Sequence, residues 1–234
     1  MKPTKNSRML TIKHLMFVSK RGLLLAICVL FLGPVANAHT INYELASLPT
    51  TGIAWVYLKL GFEHIVPLGV DHILFVLSIF FLSPNLKTVL WQATAFTVAH
   101  SITLGLAMYG YITPLPSIVE PIIALSIFFV AVENLLVREL RPSRLAVVFG
   151  FGLVHGMGFA GVLGELGLPP GSYFNALISF NVGVELGQIS VILLAYFLCS
   201  KWFSEAVWYR KRIVNPVSFA IALTALYWTI ERTF

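Results

Sequence analysis

The chain has 234 residues, of which 58% are hydrophobic and 11% are charged. Because ordinary soluble domains carry about 25% charged residues, this composition excludes a soluble domain and predicts a surface that faces the lipid bilayer. The net charge of +6 does not indicate a nucleic-acid partner, since six of the sixteen basic residues fall within the first 21 positions. After residue 38 the chain carries ten basic and ten acidic residues, so it is formally neutral.

The first 38 residues have the three parts of a cleavable secretory signal peptide. A basic start precedes an apolar core from Gly22 to Leu32, and Ala36-Asn37-Ala38 matches the small-residue cleavage pattern. A retained N-terminal anchor is the alternative. Cleavage would make His39 the first mature residue, with an α-amine and an imidazole able to chelate a divalent metal. Residues 39–61 are then predicted to form a short extracytoplasmic segment.

Long apolar runs with few charges recur six times after this segment. Each is close to the 20 or so residues that a helix needs to cross a bilayer, and proline-containing turns separate them. The runs cover residues 62–82, 87–110, 117–137, 144–165, 173–199 and 214–231. The sequence therefore predicts an all-α integral membrane protein in which residues 62–234 form one bundle of six transmembrane helices.

The distribution of basic residues predicts the orientation of this bundle. The connectors after the first, third and fifth runs carry Lys87, Arg138, Arg141, Arg144, Lys201, Arg210, Lys211 and Arg212. The second and fourth connectors carry no Lys or Arg. By the positive-inside rule the basic connectors are cytoplasmic, so both mature termini are predicted on the periplasmic side of a bacterial inner membrane.

Ionisable side chains within these runs are candidates for function, because a charge at the bilayer centre costs at least about 2.5 to 3.5 kcal/mol. The first run contains Glu63, His64, Asp71 and His72. In an unbroken helix His64 and Asp71 would share a face but lie about 10 Å apart along the axis, too far to hold one ion together. A break at Pro67 and Gly69 would change that distance.

Two further histidines occur in the second and fourth runs. His100 belongs to a polar helical face that also carries Thr94, Thr97 and Ser101. His155 lies among glycines at every fourth position, including Gly152 and Gly156. Small residues at this spacing predict close helix contact, which accounts for the glycines and leaves His155 to be explained.

Two carboxylates occur in the remaining runs. Glu185 shares a narrow helical face with Asn181 and Gln188, so the fifth run is predicted to bury a carboxylate among polar neighbours. Glu133 lies towards the cytoplasmic end of the third run, where it either pairs with the nearby Arg138 or lines a path.

Histidines at similar depth in different helices, together with carboxylates, predict a metal site or a proton relay. A lone buried histidine is usually a hydrogen-bonded core residue, but His72, His100 and His155 form a group beside two carboxylates. Imidazole and carboxylate ligands suit Ni(II), Co(II) or Zn(II) better than Cu(I). The two cysteines, Cys28 and Cys199, predict neither a disulfide nor a cysteine-rich site.

These motifs resemble the HupE/UreJ family of membrane proteins, which is associated with nickel supply to hydrogenase and urease. The resemblance covers essentially the whole mature chain and lies in His64…Gly69-Val70-Asp71-His72 and in residues 94–103, 151–156 and 180–188. It implies nickel permeation, with His64, Asp71, His72 and His155 matching the family's functional motifs, and a metalloenzyme maturation system as a partner. Six residues separate His64 from Asp71, where the nickel-permease pattern has five. Self-association into a homo-oligomer stays open.

The leading hypothesis is a permease for Ni(II) or Co(II) rather than an enzyme. The metal is its cargo, and no prosthetic group is predicted. Outer groups capture the ion, and a second set passes it inward. The predicted outer groups are His39, Glu63 and His64. The predicted inner ligands are Asp71, His72, His100, His155 and Glu185, with Asn181, Gln188 and Glu133 as accessory residues.

Two other classes of function compete with this hypothesis. In the first, an intramembrane hydrolase holds Zn(II) with His72, His100 and His155, and Asp71 or Glu185 activates water. The chain contains neither a His-Glu-x-x-His nor a Gly-x-Ser-x-Gly motif, which counts against an enzyme. In the second, the chain is a non-transporting assembly partner of a larger membrane complex, which leaves its buried charges unexplained.

Overall fold

The computed structural model describes residues 48–83, 85–161, 163 and 172–234. The predicted signal peptide and His39 lie outside these residues. All regular structure in the described part is helical, as the composition predicts. The main helices are α1 (Thr50–Ile65), α2 (Val70–Leu82), α3 (Leu86–Met108), α4 (Pro116–Leu136), α5 (Arg144–Gly158), α6 (Tyr173–Ala195) and α7 (Asn215–Thr233). A π-helical turn, Tyr196–Ser200, extends α6, and another, Arg210–Val214, leads into α7.

The lengths of these helices support a multi-pass membrane protein. Helices α3 and α4 are long and apolar enough to cross a bilayer, as are α6 and α7 with their π-helical extensions. Helices α1 and α2 meet the same criterion as a pair bent by 67°, which gives up to five spans. Helix α5 has 15 described residues and is shorter than a span, so the described chain reaches at most five of the six predicted crossings.

The first predicted run is a broken helix that begins at Thr50, twelve positions before the predicted start. Pro67 lies in the break, as its missing backbone N–H would favour. The chain then folds so closely on the end of α1 that a Cβ on Gly69 would lie 2.0 Å from the carbonyl oxygen of His64. The break suggested by Pro67 and Gly69 is therefore present, and it brings the start of α2 back against α1.

Glycines allow two pairs of helices to approach closely. Helix α1 packs along α6, where a Cβ on Gly61 would lie 1.9 Å from the carbonyl oxygen of Phe180. Helix α5 packs along α3, where a Cβ on Gly152 would lie 2.6 Å from the carbonyl oxygen of Phe96 and one on Gly156 would lie 2.2 Å from that of His100. The glycine stripe of the fourth run thus serves close helix contact, as predicted. Helix α4 packs mainly on α7, and α2 contacts α4 and α6.

Candidate metal centre

Four imidazoles from four helices converge inside the bundle. The ring centroids of His64 on α1 and His72 on α2 are 4.6 Å apart, whereas eight residues of unbroken helix would separate them by about 12 Å along the axis. His100 on α3 lies 6.1 Å from His64 and 5.9 Å from His72, and His155 on α5 lies 5.1 Å from His72. The break between α1 and α2 is what makes this histidine cluster (His64, His72, His100 and His155) possible.

Hydrogen bonding orients the ring of His100. The amide nitrogen of Asn181 donates to the backbone oxygen of Leu177 at 2.8 Å, so its Oδ1 accepts from Nδ1–H of His100 at 3.2 Å. A neutral imidazole protonated at Nδ1 carries its lone pair on Nε2. This Nε2 atom is buried and has no hydrogen-bond partner among the described residues, so it is available as a ligand.

The same reasoning fixes the ring of His155 in the opposite tautomer. The hydroxyl of Ser126 donates its single hydrogen to the backbone oxygen of Ile123 at 2.6 Å, so it accepts from Nε2–H of His155 at 2.9 Å. The lone pair then lies on Nδ1, which is buried and unpaired within the described part of the chain. Ser126 therefore positions His155 as Asn181 positions His100.

The remaining two histidines also present buried Nε2 atoms that have no hydrogen-bond partner in the described ranges. One ring nitrogen from each of His64, His72 and His100 lies within 4.8 Å of the other two, a spacing suited to a shared metal ion. The rings Phe75, Phe96, Phe159 and Phe180 surround the cluster. Buried polar atoms are normally hydrogen-bonded, so four open nitrogens in one apolar enclosure indicate a ligand-binding site.

Asp71 precedes a cluster histidine in the chain but belongs to a different contact. Its two carboxylate oxygens accept from the two terminal nitrogens of Arg232, in the last turn of α7, each at 3.1 Å. The side chains of Asp71 and Arg232 are 25% and 22% exposed, so the pair lies at the surface of the bundle. The break thus brings His64 to His72, whereas the Asp71 carboxylate faces Arg232.

Glu185 lies in a hydroxyl-rich contact between α6 and α3. Its carboxylate accepts from Thr94 at 2.7 Å and from Thr97 at 2.5 Å, and Gln188 donates to the Thr97 hydroxyl at 3.2 Å. Thr97 is one helical turn from His100, so this contact continues the polar stripe away from the cluster. The predicted face of Asn181, Glu185 and Gln188 therefore meets the predicted stripe of α3.

Glu133 forms an ion pair with Arg144 in a second polar region, at the opposite end of α4 from its prolines. Arg144 is 2% exposed, and it also donates to Gln92 at 3.1 Å and to the backbone oxygen of Ser78 at 3.4 Å. Asn134 donates to the same backbone oxygen of Ser78 at 2.8 Å. We call these residues the inner network: Ser78, Gln92, Glu133, Asn134 and Arg144. Glu133 thus pairs with Arg144 rather than Arg138, because Arg144 starts the antiparallel helix α5.

Comparison with known proteins places the molecule in a family. A family profile described as HupE / UreJ protein matches residues 39–232, nearly the whole predicted mature chain. The chain belongs to the HupE/UreJ family. The family is associated with nickel and cobalt transport. No curated protein and no solved structure matches the chain.

The predicted outer residues of this HupE/UreJ protein differ in their surroundings. Glu63 forms an exposed ion pair with Lys59, one helical turn earlier, at 3.7 Å. His64, predicted near the outer surface, lies in the histidine cluster, and its predicted role in capture stays a prediction. His39 lies outside the described residues, so its predicted role stays a prediction.

Three residues of these contacts were missed from the sequence. Ser126 lies in an apolar run with nothing to mark it as a histidine partner, and Arg232 follows the last run as an ordinary flanking charge. Arg144 was counted as a connector charge although it is buried. A signal was present for Arg144, because it lies at the first position of an apolar run rather than between runs.

Proposed function

We propose that this HupE/UreJ protein is a permease for a divalent transition metal, with Ni(II) as the leading ion and Co(II) as the alternative. One observation carries the proposal: four neighbouring histidines each leave a buried ring nitrogen open, three of these nitrogens lie within 4.8 Å of one another, and hydrogen bonds orient the rings of His100 and His155. Imidazole is the commonest protein ligand for such ions, and the absence of cysteine in the cluster disfavours Cu(I).

The charge distribution favours transport over permanent binding. Among the described residues the cluster contains imidazoles alone, and the carboxylates Asp71 and Glu185 are held by Arg232 and by threonine hydroxyls. A divalent ion among uncharged ligands keeps its charge largely uncompensated in an apolar enclosure, so it binds less tightly than among carboxylates. Conduction requires such reversible binding, in which an ion enters readily and also leaves.

The proposed route runs inward through the histidine cluster. His39 and Glu63 would capture the ion outside an inner membrane, and the cluster would then receive it. Glu185, with Asn181 and Gln188 beside it, offers the next carboxylate towards the predicted cytoplasmic side, and Glu133 lies beyond. A membrane potential favours inward movement of cations by about 2.3 kcal/mol per charge per 100 mV.

Uptake of Ni(II) into proteoliposomes tests this function directly. The wild-type chain is compared with His72→Ala, because the ring of His72 lies 4.6 to 5.9 Å from the other three cluster rings and its loss opens the centre of the site. Ser190→Ala is the control, since that hydroxyl donates within its own helix to the backbone oxygen of Gly187. We expect flux in the wild type and the control and none in His72→Ala. Absence of flux in the wild type would overturn the permease, and equal flux in all three would remove His72 from the route.

The runner-up is an intramembrane zinc hydrolase, and one observation favours it. Catalytic zinc is commonly held by three protein ligands and a water, and three of the cluster nitrogens lie within 4.8 Å of one another. A tightly held stoichiometric Zn(II) without any ion flux in the same proteoliposomes would favour the hydrolase over the permease.

A further inference from the structure

The pair between Arg232 and Asp71 joins the last turn of α7 to the first turn of α2. The contact is bidentate, with both distances at 3.1 Å. Asp71 directly precedes His72, a member of the histidine cluster. Arg232 therefore sets the net charge beside the cluster from a helix that contributes no cluster histidine.

Arg232 makes a second contact that does not involve Asp71. Its guanidinium lies 5.2 Å from the ring centroid of Trp228, one helical turn earlier on α7. A cation over an aromatic face gains about 0.5 to 1 kcal/mol at exposed sites, similar to an exposed ion pair. Because both partners of the ion pair are about one-quarter exposed at the surface of the bundle, separating them costs less than separating a fully buried pair.

Electrostatics makes this pair relevant to a metal ion. When Arg232 is bound, Asp71 contributes no net charge beside the imidazoles. When Arg232 leaves, the residue that directly precedes His72 carries a carboxylate without a counter-ion, which attracts a cation. A divalent ion and the guanidinium thus seek the same carboxylate, so the binding of one weakens the binding of the other.

We infer that Arg232 is a tethered counter-ion that competes with the transported metal for Asp71, so that it lowers metal affinity and promotes release. The inference rests on the proposed function and names a regulating residue for it. Arg232 acts through Asp71 and is not itself a metal ligand. A purely structural tie between α7 and α2 predicts the opposite sign, since its loss would loosen the site and weaken binding.

Calorimetric titration of the purified full chain with Ni(II) separates the two roles. We expect Arg232→Gln to bind Ni(II) roughly five- to tenfold more tightly than the wild type. Arg212→Gln is the matched control, because Arg212 also lies over a tryptophan four residues earlier, at 5.9 Å from Trp208. Arg212 has no ion-pair partner among the described residues, so no change in affinity is expected for this variant.

A double-variant cycle shows whether the effect runs through Asp71. In an Asp71→Asn background, Arg232→Gln should no longer change the affinity. Arg232→Lys keeps the charge but loses the bidentate contact, so its Ni(II) affinity should rise by less than that of Arg232→Gln. If Arg232→Gln does not purify as a monodisperse protein, the affinity of Arg232→Lys tests the competition instead.

The outcomes separate this inference from the function on which it rests. If the wild type binds Ni(II) but Arg232→Gln binds it equally or more weakly, the competition is overturned and the permease is not. If the wild type binds no transition metal at all, the proposed function is overturned and the inference falls with it.

Discussion

The histidine cluster and the inner network are both buried polar regions, yet their polar atoms are used in opposite ways. In the cluster, imidazoles from α1, α2, α3 and α5 leave four nitrogens open among phenylalanine rings. In the inner network, Arg144 has a carboxylate, an amide oxygen and a backbone oxygen as acceptors, at 2% exposure. Each imidazole of the cluster keeps one nitrogen open, whereas all three guanidinium nitrogens of Arg144 donate and join α5 to α2, α3 and α4. In the inner network only Oδ1 of Asn134 and the hydroxyl of Ser78 have no partner among the described residues.

This difference favours a ligand-binding role for the histidine cluster and a stabilising role for the inner network. Both regions are costly to bury in an apolar bundle, but the cost of the inner network is offset by bonds within the protein. The cost of the cluster is not offset within the described chain, which is reasonable only if a ligand completes it. The concentration of four open ring nitrogens in one place, and not the presence of a charge, is therefore what distinguishes the candidate site.

The largest expected effect is on the inner network. Glu133→Ala leaves the buried guanidinium of Arg144 without its counter-ion, which should lower the free energy of unfolding by about 3 to 5 kcal/mol. Denaturant titration of the purified protein measures this, with Glu205→Ala as the control because Glu205 is exposed and has no ion pair in the described ranges. A loss equal to that of the control would mean that the inner network does not stabilise the bundle.

The next largest effect is on the cluster itself. His100→Ala removes an oriented nitrogen donor, and we expect Ni(II) affinity to fall about 100-fold, equivalent to about 2.7 kcal/mol. Calorimetric titration measures the affinity. Thr224→Ala, whose hydroxyl bonds to its own helix on α7, should bind as the wild type does. Unchanged affinity in His100→Ala would remove His100 from the site.

A third change tests the close contact that holds α5 against α3. Gly156→Ala places a Cβ 2.2 Å from the carbonyl oxygen of His100, so the helices must separate at a cost of about 1 to 3 kcal/mol in unfolding free energy. Gly150→Ala on the same helix adds a methyl group to open space and should be neutral or stabilising. Thermal unfolding of both variants gives the comparison, and equal midpoints would contradict the close contact.

The smallest expected effect concerns the orientation of one ring. Ser126→Ala removes the acceptor of Nε2–H of His155, so the tautomer is no longer fixed and Ni(II) affinity should fall about tenfold. Ser190→Ala is matched to it, because both hydroxyls donate at 2.6 Å to the backbone oxygen three residues earlier. If both variants lose the same affinity, Ser126 acts on its helix and not on His155.

Much of the fold and part of the site could be predicted from the sequence. The apolar runs and the proline-containing turns located the helices, and the family resemblance is confirmed by the match over residues 39–232. The glycine spacing in the fourth run predicted a close helix contact, and the structure shows that the partner is α3. The predicted separation of about 10 Å between His64 and Asp71 depended on an unbroken helix. The structure has the alternative, a break at Pro67 and Gly69.

Ion pairing could not be predicted in the same way. The sequence offered two readings of Glu133, a pair with the nearby Arg138 or a place along a path. Its counter-ion in the structure is Arg144, which comes from the following helix. Arg232 is 161 positions from Asp71. Such pairs depend on how antiparallel helices align across the bundle, and a single sequence contains no direct record of that alignment.

The sequence by itself determined that this is a helical membrane protein with histidines and carboxylates in its apolar runs, because hydropathy and insertion cost depend on local composition. Only the tertiary structure decided which of these groups meet. The bend between α1 and α2 brings His64 to His72, while cross-helix hydrogen bonds assign Asp71, Glu185 and Glu133 to other partners. Hydrogen bonds and ion pairs form over about 3 Å, so the three-dimensional packing, and not the order of residues, separates the candidate site from the structural network.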